Sequence, residues 1–285
     1  MSARLTVLIP CKNEQHNIRA CIESARLVAD EVLVADSLST DRTLDVVADV
    51  GGCRVVKREF ISYSDFKNWA IPQAQHEWVL VLDADERVTP ELAAEIRRTL
   101  ESVSDEIDGY WIRRRNFFLG HEIKHSGCDT SKLFRLLRRD VCRYRDCRVH
   151  EEIEVRPGRD RVLAEPLLHY TYWTLDQYFE KQVKYTRLMA LDRWDAGKRV
   201  TTFGMLVAPF LRFFWLYVLR LGFVDGYVGL QMCMLQAFFV TFVKQARLWE
   251  LQFALPQPQE KTIPALAPAQ SNERRSDKTT AKRAA

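Results

Sequence analysis

Two carboxylates one residue apart, Asp83 and Asp85, close the apolar run Trp78-Val79-Leu80-Val81-Leu82. Paired hard oxygen donors suit Mg²⁺ or Mn²⁺ shared with a substrate phosphate. On an extended strand, residues i and i+2 face the same side, so the spacing predicts that both acids address one ion. The bland alternative is a solvated strand end. A second metal-ligating set, His125, Cys128, Cys142, Cys147 and His150, has a spacing that matches no zinc pattern.

The run before Asp83 is apolar on both alternations, as in a strand buried on both faces. Ligands in open α/β sheets bind outside the carboxyl ends of such strands. Upstream, Leu5–Ile9, Glu31–Ala35 and Arg54–Lys57 read as strands. Helical spacing runs over residues 17–29, with Ile18, Cys21, Ile22, Ala25 and Val28 on one face. A second helix ends at Gly51-Gly52, with an N-cap expected in Ser37–Thr40. Ser62 or Ser64 starts a third, and Thr89-Pro90 launches a fourth to about Leu100. This β-α repeat over about a hundred residues predicts a parallel sheet with right-handed crossovers. Three polar loops then meet at one edge: Lys12–Glu14, Asp36–Asp41 and Asp83–Glu86. The first lacks GxGxxG and a phosphate-binding lysine loop, which argues against NAD and against ATP bound in the usual way.

From Gly109 the pattern changes. Tyr110–Phe118 and Ser131–Leu137 read as strands around a polar loop, Gly120–Thr130, that contains His121 and His125. Arg148–Glu152 follows, then a strand segment, Val162–Tyr172, with His169. Strands with no long helices between them predict an antiparallel extension that builds the other wall of the crevice. Thr174 with Gln177 has capping-box spacing and opens a helix to about Ala196. Two Phe-rich runs, Val200–Leu221 and Phe223–Val243, are each near the roughly 20 residues that span a bilayer. Arg212, Asp225 and Gln231 interrupt them, and a central charge costs about 2.5–3.5 kcal/mol on insertion scales. With basic flanks at Arg220, Lys244 and Arg247 they fit helices lying in the membrane interface; burial against the sheet is the other reading. From Pro256 the composition is that of a disordered tail.

The chain has 285 residues, 47% hydrophobic and 28% charged, with formal net charge +4. That is ordinary for a globular protein, and nothing in it calls for nucleic acid. Seven scattered cysteines fit a reducing cytosol, and a strand that begins almost at once leaves no room for a signal peptide.

Four motifs in order resemble the family 2 glycosyltransferases of GT-A fold: Val7-Leu-Ile-Pro10 with Lys12-Asn-Glu14, Val34-Ala-Asp36 through Thr43, Lys67-Asn68, and Leu82-Asp-Ala-Asp85. In the second half, Val149-His-Glu151, Leu168-His-Tyr170 and Gly222–Gly226 resemble a branch, the bacterial lipopolysaccharide-core β-glucosyltransferases. The resemblance implies an α/β GT-A catalytic domain over 1–172, with a nucleotide-binding half at 1–108 and an acceptor half at 109–172. A helical region over 173–250 follows, with interface helices at 200–245, then a tail at 256–285. It implies an inverting enzyme on the cytoplasmic face of the inner membrane that uses a sugar nucleotide, UDP-glucose first, and a lipopolysaccharide-core or other envelope glycan acceptor. By motif, Pro10, Asn13, Glu14 and Asp36 fall where the base and ribose are held, and Lys67 lines the nucleotide site. Asp83 contacts ribose or metal, Asp85 ligates Mn²⁺ or Mg²⁺, and His169 is a candidate third metal ligand, with a packed β-strand histidine as the other reading. Glu151 matches the general base, with Glu152 its rival.

A phosphatase of the haloacid dehalogenase type also carries DxD at a strand end, but on the first strand of the chain rather than the fourth. A non-catalytic sugar-nucleotide-binding protein at the membrane is the other alternative.

Overall fold

The computed structural model describes residues 3–127, 132–145 and 153–253. The first half alternates as the periodicity predicts. Strands β1 (Leu5–Cys11), β2 (Glu31–Asp36), β3 (Arg54–Lys57) and β4 (Trp78–Val81) alternate with helices α1 (Ile18–Ala25), α2 (Thr43–Val50) and α3 (Tyr63–Ala70). A two-residue strand, β5 (Glu86–Arg87), precedes α4 (Pro90–Glu101). Ser62 caps α3 by accepting from Asp65 N–H, and Thr89 caps α4 by accepting from Leu92 N–H. The expected cap of α2 does not form: Arg42 occupies that position without a side-chain bond, because the Ser37–Thr40 loop folds back on Asp36 and Asn13 instead.

Then follow β6 (Gly109–Phe118), β7 (His121–Ile123), β8 (Lys132–Arg138), β9 (Arg143–Tyr144), β10 (Ile153–Glu154), β11 (Asp160–Val162) and β12 (Leu167–Tyr172). The main sheet has the order β3-β2-β1-β4-β8-β6-β12-β5. Its first four strands are parallel, and β8 runs antiparallel to both β4 and β6. Val79, Leu80 and Val81 are wholly buried, so the central strand is covered on both faces.

The second wall is not the purely antiparallel extension that was expected. Both β11 and β12 pair with β6 in parallel, while β7 pairs with it antiparallel. Nor is Gly120–Thr130 simply a loop. Leu119 and Gly120 both take positive φ, the two-residue turn whose twist suits a hairpin, and His121 starts its return strand. At the other end of β6, Gly109 lets two strands close up: a Cβ there would lie 2.4 Å from the Phe134 ring.

Helix α5 (Leu175–Asp195) leaves the sheet edge. Thr174 caps it through Gln177 N–H, and the Gln177 side chain reaches back to Trp173 N–H, one residue earlier than a capping box would. The first Phe-rich run is not one span. It divides into α6 (Thr202–Leu206) and α7 (Ala208–Phe214), because Pro209 has no N–H to continue a helix. A π-helical turn, Trp215–Leu219, leads to a reversal at Leu221, and a 3-10 turn, Gly222–Asp225, to α8 (Gly226–Met234). A second π segment joins α8 to α9 (Phe242–Phe253), which packs on α5.

Gly222–Phe253 forms a 32-residue helical stretch whose most apolar window has mean hydropathy 1.5, long and apolar enough to cross a membrane by length and composition. Only 28% of its most apolar stretch is buried, so it is not a core helix. Phe203, Leu206, Phe210, Phe214, Phe223 and Tyr227 all stand exposed around it. Asp225 fastens this region to the sheet: its carboxylate accepts N–H bonds from Lys124 and His125, at 3.2 and 2.9 Å, and the Ser126 hydroxyl at 3.3 Å. The expected tail at 256–285 lies outside the described residues.

Candidate active site

The carboxyl ends of β1, β2 and β4 meet as the pattern requires. Leu8 carbonyl accepts from Leu82 N–H, the last link between β1 and the β4 side. Pro10, two residues on, faces that same side where β4 has turned away, so its missing N–H costs no ladder bond. Asn13 adopts left-handed φ, which its short amide tolerates, and braces the next loop: it accepts from Thr40 N–H at 2.8 Å and donates its own N–H to Ser39 at 2.9 Å. Asp36 is fully buried, and its two oxygens accept from the Ser39 hydroxyl and N–H. It shapes the loop at the crevice.

The two acids of DxD do not share one face. The strand stops at Val81, and Glu86 N–H bonds back to Asp83 carbonyl, so Asp83 to Glu86 is a turn in which the period of two no longer holds. Asp83 is taken by two cations: Lys67 Nζ lies 3.3 Å from one oxygen, and Arg135 contacts the other. Burial would raise its carboxyl, but Arg135 and then Lys67 hold it far below the ordinary range. The metal role expected of Asp83 therefore meets an acid already neutralised. Lys67 itself is buried against Asp83 and lies 5.3 Å over the Tyr144 ring.

Asp85 turns the other way, to His169. The strand pairing explains how residues so distant in sequence meet. β12 pairs with β5, with His169 opposite Glu86, and Tyr170 N–H bonds Asp85 carbonyl at 2.8 Å. On its other side His169 lies opposite Asn116 of β6. His169 Nε2 is 3.5 Å from Asp85 Oδ2, and its Nδ1 is 2.8 Å from Asn116 Oδ1. With both ring nitrogens protonated, Nδ1 donates to that amide oxygen and Nε2 faces the carboxylate as a donor; a ring that gives up the Nε2 proton turns a lone pair toward Asp85 instead. Two electron-rich atoms facing one another are what a cation between them would satisfy, with Asn116 as the orienting second partner.

Asp85 and His169 are thus the residues that could hold a divalent ion, with phosphate oxygens and water completing its shell. Among the described residues, no group of three or more His, Cys, Asp or Glu side chains converges for that purpose. Of the sulfur-rich set, Cys142 is buried and donates to Asp108 carbonyl at 3.5 Å. Burial opposes ionisation of Asp85, yet His169 and then Lys181, Nζ 3.6 Å away, bring its carboxyl down to about 2.

Glu14 lies beside this pair. Burial first, and Asp85 nearby, push its carboxyl up to about 7, although Asn17 donates to it at 2.9 Å. Asn17 in turn accepts from the Trp173 indole N–H at 2.8 Å. Trp173 stacks on Tyr170, and Tyr170 on Phe117. Arg135, Glu86, Asn116, Lys181, Asn17 and Trp173 escaped the sequence reading. None carries a motif; a helical cation in the second turn after a cap, as Lys181 is after Thr174, is too common a pattern to single out. The expected base, Glu151, and its rival Glu152 lie outside the described residues.

The sheet order, the converging polar loops and the DxD turn define a GT-A sugar-nucleotide transferase fold. The sequence model "Glycosyl transferase family 2" matches residues 6–145. The lipopolysaccharide core biosynthesis glycosyltransferase LpsC of Rhizobium meliloti (strain 1021) is 31% identical over 227 residues, 78% of this chain and 82% of LpsC. The chain belongs to glycosyltransferase family 2 and is a glycosyltransferase. An uncharacterized glycosyltransferase of Rickettsia bellii (strain RML369-C) is 27% identical and covers 88% of each chain. A solved mannosyltransferase, PcManGT from Pyrobaculum calidifontis in complex with GDP-Man and Mn²⁺, is 23% identical with TM-score 0.36, and the likeness covers 40% of this chain and 36% of PcManGT. That likeness is too limited to bear on the chemistry here.

Proposed function

We propose that the protein is an inverting glycosyltransferase that moves a sugar, glucose from UDP-glucose first among candidates, to a lipopolysaccharide inner-core or related envelope glycan. The observation that carries this reading is the pairing of Asp85 with His169, whose Nε2 lies 3.5 Å from Asp85 Oδ2 while its Nδ1 is held at 2.8 Å by Asn116. Asn13, Glu14, Asp36 and Pro10 line the loops for base and ribose, and Lys67 with Asp83 closes that side. A Mn²⁺ or Mg²⁺ ion at Asp85 and His169 would neutralise charge on the leaving diphosphate.

In the transfer, the bond from sugar C1 to the terminal phosphoryl oxygen breaks and its electron pair stays on that oxygen. The acceptor oxygen forms the new bond to C1 from the opposite face, and its proton passes to the Glu151 carboxylate. Exposed Phe203, Phe210, Phe214 and Tyr227, with Arg212 and Arg220 packed over Trp215 at 4.7 and 5.3 Å, suit the interface of the cytoplasmic leaflet of the inner membrane. A glycolipid acceptor would be met there. The enzyme then works as a peripheral protein.

The test offers purified protein a panel of sugar nucleotides with lipopolysaccharide from core-truncated cells, with and without Mn²⁺. Metal-dependent release of UDP together with a heavier acceptor supports the reading, and Asp85→Ala should abolish both. Donor binding without turnover on any acceptor would favour the non-catalytic alternative. Undiminished activity of Asp85→Ala in chelator would remove the metal assignment.

A further inference from the structure

Lys181 enters the site from outside the sheet. It sits on α5 between Gln177 and Tyr185, one turn from each, on the flank beside the buried row Tyr178, Gln182 and Thr186. Its ammonium lies 3.6 Å from Asp85 Oδ2 and 5.3 Å over the Tyr172 ring. Among the described residues Asp85 is the only carboxylate within ion-pair distance of it.

Three features set this pair apart from a structural salt bridge. The separation is too long for a direct hydrogen bond, in contrast to the 2.8 Å of Arg135 to Glu86 a few residues away. The lysine side chain is 38% exposed, so solvent reaches it, whereas Arg135 is 3% exposed. And Asp85 already faces His169, so the ammonium is not needed to hold the DxD turn, which Arg135, Lys67 and the β5–β12 ladder fix from the other side.

The chemistry of the site asks for a cation where this one stands. Asp83 and Glu86 are answered by Lys67 and Arg135, but a diphosphate brought beside Asp85 adds negative charge there. On departure the leaving group gains a further charge at its terminal phosphoryl oxygen. Lysine can meet that charge because its ammonium is compact, carries three donors and rides on a flexible stem, so it can shift from Asp85 to a neighbouring oxygen without backbone movement. Positive groups placed where charge develops on a departing oxygen are among the strongest stabilisers of such departures.

We propose that Lys181 is a donor-binding residue of this site: its ammonium, held over Asp85 when no substrate is bound, contacts the terminal phosphoryl oxygens of the nucleoside diphosphate. The inference rests on the sugar-nucleotide reading given above. It makes α5, the first element of the helical region, part of the donor site.

The experiment compares UDP with UMP, which lacks the terminal phosphate, by calorimetry on the full chain with saturating Mn²⁺. Lys181→Met should weaken UDP binding by about 10- to 100-fold, the scale of one charge-assisted hydrogen bond. UMP binding should change less than about threefold on the same scale. Lys181→Arg should recover most of the UDP affinity, and Lys184→Met, an exposed neighbour on the same helix, should match wild type. Equal losses for UDP and UMP together with a lowered Tm would mark a structural lysine and overturn the proposal. So would wild-type UDP affinity in Lys181→Met. Wild-type protein that binds no UDP at all would remove the donor reading itself, and the proposal with it.

Discussion

Arg135 and Glu86 form an ion pair at 2.8 Å in which Glu86 is fully buried and Arg135 nearly so. The same guanidinium nitrogen contacts Asp83, so one side chain of β8 fixes both ends of the DxD turn. Glu86 also accepts from Asp83 N–H at 3.1 Å, which closes the turn on itself.

Removing the arginine leaves Asp83 with Lys67 alone and Glu86 with only the longer contact to Arg114 at 3.7 Å, and breaking a buried pair from one side costs up to about 3–5 kcal/mol. Arg135→Met should lose about that much stability in urea unfolding. Adding Glu86→Gln should recover part of the loss, because one of the stranded charges is then gone. A double variant less stable than Arg135→Met would show that the pair is not what holds the turn.

Glu14 gives the protein a pH signature. Its carboxyl is raised to about 7 from an ordinary value of 4.5, chiefly by burial. Below 4.5 both folded and unfolded chains hold the proton, and nothing is lost. Between 4.5 and 7 the unfolded chain releases it first, so stability falls as pH rises, and the loss is complete above 7. Glu14→Gln should therefore match wild type near about pH 4.5 and exceed it by about 1–3 kcal/mol at about pH 8. Urea midpoints at the two pH values decide it; a gap that does not widen with pH means that the carboxyl is not raised.

The general base is tested by two neighbouring variants. Loss of a general base costs about 10²- to 10⁴-fold in rate. Glu151→Gln should lose turnover by that factor and keep its affinity for the donor, while Glu152→Gln loses far less. The reverse ranking would assign the base to the neighbouring residue.

The helical region is tested with vesicles. Full-length protein should sediment with anionic vesicles and be partly released by high salt, since attraction to anionic lipid is screened. Arg212→Glu with Arg220→Glu should bind less. Protein that stays in the supernatant at low salt would leave the exposed phenylalanines to some other partner.

Most of the first hundred residues were legible because their strands are short, buried on both faces in β1, β2 and β4, and closed by local signals. Ser62, one of two candidates with Ser64, and Thr89 before Pro90 were read as helix starts, and both accept the bonds expected of a cap. The directions of Asp83 and Asp85 were not legible. In a turn they follow tertiary partners: Arg135 lies 52 residues from Asp83, and His169 reaches Asp85 through the ladder of β12 with β5. The parallel pairing of β12 with β6 was hidden for a like reason, since several short strands intervene and only the assembled sheet decides their order. Pro209, in contrast, was a local signal in plain sight, and its break of the first Phe-rich run follows from its missing N–H.

The Asp225 clasp bears on how the chain is made. The amides of Lys124 and His125 that it receives are synthesised a hundred residues earlier. Domains fold as units from the N-terminus while synthesis proceeds. The nucleotide-side strands can therefore be complete on the ribosome while the segment after β7 still lacks its acceptor. The loop after β7 is fastened only when the apolar helices emerge, so its closure coincides with the moment at which those helices first meet their surroundings.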